Sequence, residues 1–359
     1  MSTSSPKSDA VESLLSSLEQ TDEYLNPKKR AAGEPQDEGQ GQDYEEKTEE
    51  LETKIRDRLS SLKTLTSTPP PPPPPTPNPT PNPTPNPPPT PDPTYLGAHT
   101  FPPSPTPPSL LRLSCRSLTH TTPTNGLCPT YLQTNVVSLP SSSAFDFLLF
   151  CQRNPKCAPI VDVVERGETN PRHVIKGHAD IRTDCPSYNI YSSGVLTHTS
   201  IPDVRPFWRP DLVTFLLGCS FTFEAALISQ GFRIRNIDEG KNVSMYKTNL
   251  RTRDAGVFKG ITYVVSMRPF KEEDVRSVIE ITRRYPNAHG GPVHVGSPES
   301  IGISNLDEPD FGDKCVVLPG EVPVFWACGV TTAEAVKGAK VEFAITHKPG
   351  CMFVTDVKM

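Results

Sequence analysis

Apolar positions along the 359-residue chain fall into distinct regimes. Residues 1–42 are polar and poor in aromatics, the composition of a disordered tail. Over residues 43–66, Leu51, Ile55, Leu59 and Leu62 recur on one helical face, with Glu49, Glu50 and Lys54 on the solvated side. That spacing predicts an isolated amphipathic helix. Residues 67–109 hold about half of the chain's 43 prolines, and Thr-Pro-Asn-Pro repeats from Thr76 to Pro87. Proline fixes φ and removes a donor, so this stretch reads as an extended linker. A semi-rigid spacer is favoured over a docking site at 69–108 for a proline-binding partner.

From residue 110 to 359 the pattern becomes globular. Ser143 is placed to cap a helix through Asn154, with Ala144, Phe147, Leu148 and Cys151 on one face. Ile160 to Val164 reads as a strand. Tyr188–Tyr191 and Val195–Thr199 flank Ser193-Gly194, a hairpin signal. Pro210 to Leu217 is strand or helix by pattern alone. Ile261–Met267 is rich in β-branched residues, and Lys271–Arg284 follows as a helix with acidic first and basic last turns. Further strands are expected at Cys315–Leu318, Val322–Ala327, Val341–Thr346 and Met352–Thr355. Strands alternating with helices predict an α/β domain with a mixed or largely parallel sheet, preceded by a disordered N-terminal third.

Composition narrows the function. The net charge is −5, with no basic patch of the kind a nucleic-acid binder carries. No apolar run approaches the roughly 18 residues of a membrane span. The N-terminus reads as acidic and without a secretion segment. Nine cysteines occur in no framework spacing, which points to free thiols in a reducing compartment. A cytoplasmic location is expected, with the mitochondrion left open. Pro27-Lys28-Lys29-Arg30 is more readily a solvated basic patch than an import signal.

Three segments concentrate chemistry. In the first, Gly218 ends an apolar run and Ser220 is placed to cap a helix closed by Gly231. Cys219 then sits at the positive end of a helix, where a thiol becomes more acidic, with Glu224 one turn in. In the second, a strand from Val322 runs into Cys328-Gly329, and Thr331-x-x-Glu334 is a capping box. The two turns resemble each other, Gly-Cys-Ser with Glu224 and Ala-Cys-Gly with Glu334. So short a likeness favours chance over an internal duplication. In the third, His289 and His294 bound a Gly-Pro loop, and His347 lies in another glycine turn. With Asp356 they make a conceivable metal set, but their spacing is not that of a zinc helix. Acid–base or hydrogen-bonding roles are favoured, and no metal is expected. Arg268 is expected at the C-terminal edge of its strand, where a guanidinium clamps a carboxylate. Asn242 and Tyr246 are candidate donors to the same ligand. No nucleotide fingerprint is present, and no cofactor is expected.

Together these segments resemble the D-glutamate cyclase family, whose bacterial members are named hydro-lyases. The resemblance rests on Gly218-Cys-Ser-Phe-Thr-Phe-Glu224, Asn242-Val-Ser-Met-Tyr246, Val265-Ser-Met-Arg-Pro269, His289-Gly-Gly-Pro-Val-His294, Glu321-Val-Pro-Val-Phe-Trp-Ala-Cys-Gly329 and Thr346-His-Lys-Pro-Gly350. Thr124 to Asn135 and Ala179 to Asp184 also look like the family. The match runs from about residue 110 to 359. Cys351 departs from the family's His, and residues 1–108 have no counterpart in the compact bacterial members. The resemblance implies an α/β fold of two intimately packed subdomains and dehydration of a small amino or hydroxy acid.

The leading expectation is dehydrating cyclisation of D-glutamate to 5-oxo-D-proline. Glu224 or His289 is cast as base and His294 or His347 as acid. The Cys219–Ser220 helix start would stabilise the oxyanion, and Arg268, Asn242 and Tyr246 would hold the carboxylate. Two alternatives stand beside it: a cofactor-independent racemase using Cys219 and Cys328, and a non-catalytic small-acid-binding protein. Expected partners are a small carboxylic or amino acid and a second copy of the chain, with neither nucleic acid nor membrane.

Overall fold

The computed structural model describes residues 106–359. The expectations for the polar tail, the helix at 43–66 and all but the end of the proline tract lie outside these residues. The described chain opens with α1 (Pro108–Arg116), β1 (Tyr131–Pro140), α2 (Ser141–Arg153) and β2 (Ile160–Val164). The hairpin β3 (Tyr188–Ser192) and β4 (Val195–Ile201) leads to β5 (Leu212–Gly218), α3 (Phe221–Ser229) and α4 (Arg235–Asp238). Then come β6 (Ser244–Arg251), β7 (Thr262–Lys271), α5 (Val275–Arg283) and β8 (His294–Val295). The chain closes with β9 (Glu321–Ala327), α6 (Val330–Gly338), β10 (Phe343–His347) and β11 (Phe353–Lys358).

The strands make two sheets. The larger runs β2-β5-β1-β10-β3-β4, with β11 also on β1; the smaller runs β6-β7-β9-β8. The α/β class expected from the sequence holds, but the expected parallel pairing does not. Every ladder among the described residues is antiparallel. A helix between two strands suggests a crossover between parallel neighbours. Here β1 and β2 flank α2, yet β5 lies between them in the sheet. The alternation was real; the adjacency it implied was not.

Several boundaries also moved. Helix α2 starts at Ser141, directly after Pro140, so Ser143 lies inside it and does not cap it. Strand β7 continues through Arg268 to Lys271, and the following helix begins only at Val275 after a 3-10 turn. Cys315–Leu318 forms no strand. The Ser193-Gly194 hairpin forms as expected, with both residues at positive φ.

The two sheets contain the same unit twice. In the first, β1 leads to α2 and β2, and β5 then pairs with β1 from Pro140↔Leu212 to Thr134↔Gly218. In the second, β7 leads to α5 and β8, and β9 pairs with β7 from Lys271↔Glu321 to Val265↔Ala327. Strands β1 and β7 each have 10 residues, β5 and β9 each 7, and α3 and α6 each 9. The outer strands agree as well, with Val163 opposite Phe215 and Val295 opposite Val324. Each unit then hands its next strand to the other. Strand β6, following α3, pairs with β7, and β10, following α6, pairs with β1. The duplication that the sequence made look like chance is a property of the fold.

Both faces of the larger sheet are covered, one by Val174, Ile175, Ala179 and Ile181 on Val136, Leu216 and Ile345, the other by helices. Phe147, Phe150 and Cys151 of α2 and Ala335 and Val336 of α6 pack on Val137, Leu139, Phe215 and Leu217. Phe147 is fully buried, with ring centroids of Phe215 and Phe258 at 4.9 and 5.3 Å. Phe145, two residues earlier on α2, is 72% exposed. Phe147→Ala is therefore expected to cost about 3–5 kcal/mol in urea unfolding. Phe145→Ala is expected to change stability by less than about 0.5 kcal/mol.

Candidate functional site

Each repeat ends its second long strand in a cysteine turn. Gly218 closes β5, Cys219 follows, and α3 starts at Phe221. Ala327 closes β9, Cys328 follows, and α6 starts at Val330. The N–H of Phe221 points to the Cys219 sulfur and that of Val330 to the Cys328 sulfur. Three residues after each cysteine, a threonine hydroxyl receives a backbone N–H from the neighbouring strand. Gln133 N–H donates to Thr222 at 3.1 Å, and Val264 N–H to Thr331 at 2.9 Å. The signal in the sequence was therefore Cys-x-x-Thr, not the capping box. Thr331 is buried in this bond, and Glu334 meets Lys247 and Lys337 at the surface.

The two turns come together across Asn135 of β1. Its amide donates to Gly218 O at 2.8 Å and to Leu217 O at 3.2 Å. A Cβ added to Gly329 would lie 2.1–2.3 Å from the same amide group. Only glycine admits that approach. Gly218 is equally constrained, because an added Cβ would fall 1.5 Å from Asn287 O. Cys219 and Cys328 share one apolar cluster with Phe221, Val243, Met245, Val264, Val330 and Met352. Asn135 lay inside a segment that marked the family resemblance, but nothing in its local pattern singled it out.

Beneath the thiols lies an ion pair. Arg268 projects from β7 and is 1% exposed; Glu224 projects from the first turn of α3 and is also 1% exposed. The guanidinium donates through Nε at 2.8 Å and through Nη2 to the same Glu224 oxygen, Oε1. Its remaining contacts are Ser220 Oγ at 3.0 Å and Ser266 Oγ at 3.2 Å. The Phe223 and Trp326 ring centroids lie 5.3 and 5.6 Å from Cζ. Ser220 makes no side-chain cap on α3, because its hydroxyl serves Arg268. Glu224 Oε2 is buried without a hydrogen-bond partner.

This corrects the expectation for Arg268. It stands within a central strand rather than at a strand edge, and its donors hold Glu224 rather than waiting for a carboxylate. Tyr246 and His294 are separated from it by the sheet. Tyr246 lies opposite Val265 and His294 opposite Phe325, on the face away from Ser266 and Arg268. The Tyr246 hydroxyl donates to Leu306 O, and His294 Nε2 donates to Ser297 O. Asn242 packs against Gly350, donating to Pro349 O and accepting from Val243 N–H. His347 fills the place where β10 leaves β1 and β11 takes over. Its Nδ1 accepts the Val136 N–H at 3.2 Å, and its Nε2 is buried without a partner. His289 is buried, near enough to Arg268 to feel its charge, and its Nδ1 bonds Lys156 O at 2.9 Å. Asp356 pairs with Arg112, so it and the three histidines do not converge.

Burial dominates the protonation of the whole cluster. It raises the Cys219 thiol far above its ordinary range, and the Cys328 thiol to about 11. The helix N–H groups and Arg268 pull the other way but do not win. The sequence expectation of an acidified Cys219 is therefore corrected: its helix start is too dry. Desolvation also raises Glu224, against the lowering effect of Arg268. His289 and His347 are pushed down to about 4, both chiefly by burial.

Comparison with known proteins places these residues in context. The D-glutamate cyclase family profile matches residues 213–356, which include both cysteine turns and the ion pair. A Thermoanaerobacter sp. protein is 52% identical over 251 residues, covering 70% of this chain and 94% of its own. One from Natranaerobius thermophilus is 51% identical over 236 residues, covering 66% and 89%. YcsI of Bacillus subtilis is 51% identical over 236 residues, covering 66% and 91%. All three bear the printed name "Putative hydro-lyase".

Two measurements follow from this geometry. Gly329→Ala should destabilise the protein by about 1–3 kcal/mol through overpacking on Asn135. Adding Asn135→Ala should recover part of that loss, a coupling visible in a double-mutant cycle. The two low histidines bear on acid stability. Between about pH 6.5 and 4 the unfolded chain binds protons at His289 and His347 that the folded chain refuses. Stability therefore rises with pH across that window and falls on acidification, by on the order of 3 kcal/mol per ring in full. Urea midpoints at pH 6.5 and 5.0 should show the drop, and a His289→Asn, His347→Gln double variant should flatten it.

Proposed function

This chain belongs to the D-glutamate cyclase family, and from that premise we propose that it is a hydro-lyase for a small amino or hydroxy acid. The specific reaction proposed is cyclisation of D-glutamate to 5-oxo-D-proline with release of water. The observation that carries the reading is Glu224, a carboxylate buried at a helix start with one oxygen unpartnered. A buried polar oxygen without a partner is costly, and a ligand ammonium supplies the missing donor.

The reaction joins the substrate nitrogen to the carbon of the γ-carboxyl group and breaks one C–O bond of that group. Two of the three ammonium protons leave in the water, and one stays on the amide. Glu224 takes a proton from the ammonium, which frees the nitrogen pair for attack. Its raised affinity for protons suits it to pass that proton to the departing oxygen. Arg268 acts as a positioning residue. Its Nε and Nη2 hold Oε1 and leave Oε2 for the substrate. The positive end of the α3 dipole favours the negative oxygen of the tetrahedral intermediate, and the equivalent end of α6 favours the α-carboxylate. His294 and Tyr246, across the sheet, take no part, and the His347 ring stays with Val136.

Proton NMR of the full chain with D- and L-glutamate tests this. The expected result is 5-oxoproline from the D enantiomer, and a loss of about 100-fold or more in kcat for Glu224→Gln. His294→Ala is expected to leave turnover unchanged. Because removing one partner of a buried pair costs about 3–5 kcal/mol, circular dichroism must show the Gln variant folded. Unchanged D-glutamate with the wild type, or full turnover in folded Glu224→Gln, would overturn the proposal.

A further inference from the structure

The repeat carries a second inference, which uses the same site but stands on the thiols rather than on Glu224. We propose that Cys219 and Cys328 act as a proton-exchanging pair at the α-carbon of an amino acid, giving this chain an α-proton exchange and racemisation activity beside dehydration.

Interconverting two enantiomers at one carbon needs a base on one face and an acid on the other. A repeated fold supplies two such groups when each copy ends its strand in the same side chain. Here the copies agree in where strand, cysteine and helix fall around the thiols. Thr134↔Gly218 and Val265↔Ala327 close the two ladders, a cysteine follows each, and a helix starts two residues later. The thiols share one apolar cluster and slight exposure, 6% for Cys219 and 8% for Cys328. Both turns meet a single amide, that of Asn135. Neither thiol is committed to a disulfide.

The step balances without a further reactant. Cys328 first gives its proton to solvent, against the burial that raises both thiols; the thiolate then removes the α-proton, forming S–H while the C–H electron pair passes into the carboxylate as an enolate. Cys219 then gives its S–H proton to the opposite face of the carbon and becomes the thiolate. Substrate composition is unchanged, configuration is inverted, and the reverse reaction uses the sulfurs in exchanged roles.

The experiment is proton NMR in deuterated buffer on the full chain with D- and L-glutamate and D- and L-aspartate as probes. Loss of the α-proton resonance is read separately from growth of 5-oxoproline. The expected result is α-deuterium entering both enantiomers of at least one probe, with chiral chromatography showing the opposite enantiomer. Cys219→Ser and Cys328→Ser should each lower interconversion about 100-fold or more, with folding verified by circular dichroism. Cys→Ala variants serve if a serine variant unfolds. If 5-oxoproline forms while the α-proton stays in place, the thiol proposal falls and the lyase reading stands. Exchange that persists in folded single-cysteine variants, or is absent from all four probes, also overturns it. Exchange without 5-oxoproline would overturn the lyase reading instead.

Discussion

The site is organised by one buried ion pair. Arg268 and Glu224 come from different repeats, β7 of the second and α3 of the first, and both are nearly without solvent. Two charges out of water cost more than their attraction returns unless further donors and acceptors complete them. Ser220 and Ser266 supply two acceptors, and Phe223 and Trp326 supply ring faces. This demand fixes register. A one-residue slip of β7 would turn Arg268 to the face of Met267 and Phe325, which is apolar. The pair thereby sets where α3 begins relative to β7, and so where the Cys219 turn sits relative to the Cys328 turn.

The strand exchange between repeats follows the same logic. A single β-sheet unit of three strands leaves its last helix and one edge exposed. Strand β6 leaves the first repeat to cover the edge of β7, and β10 leaves the second to cover the edge of β1. Contacts at the seam are then reciprocal. Asn135 of the first repeat reaches the turn of the second at Gly329, and Arg268 of the second reaches the turn of the first at Ser220. Separating the repeats would break a sheet on each side, so the thiol-bearing seam is tied into both hydrogen-bond networks.

Much of this was readable from residue order. Ile160–Val164, the Ser193-Gly194 hairpin and the run of β9 into Cys328 lie where pattern put them, and a helix follows Cys219 as expected, although pattern alone left β5 open between strand and helix. Local pattern encodes which residues alternate, but not which strand becomes a neighbour. The intervening β5 therefore defeated the parallel reading. The same limit hid the sheet faces. Tyr246 and His294 were grouped with Arg268 by residue type, yet period-2 alternation in β7 and β9 puts them behind the sheet. The Cys219 prediction failed on magnitude rather than direction. The helix N–H does lower that thiol, but desolvation, absent from any sequence, is larger. Asn135 was missed because its role consists of distance to Gly329, nearly two hundred positions away in the chain.

What separates the two repeats is as informative as what they share. Arg268 lies opposite Val324, four residues before Cys328; in the first repeat Val137 lies opposite Phe215, four before Cys219. Glu224 stands five residues after its cysteine, and Ala333 holds that position after Cys328. One seam position is thus an ion pair and its counterpart is apolar, while Asn135 stands where the other copy has Ser266. Two equal halves would offer equal anion sites and equal thiols, a setting suited to both faces of a substrate. A single carboxylate on one side removes that equality: the buried ion pair is present in one copy only, so the two thiols that the turns share stand in unequal surroundings.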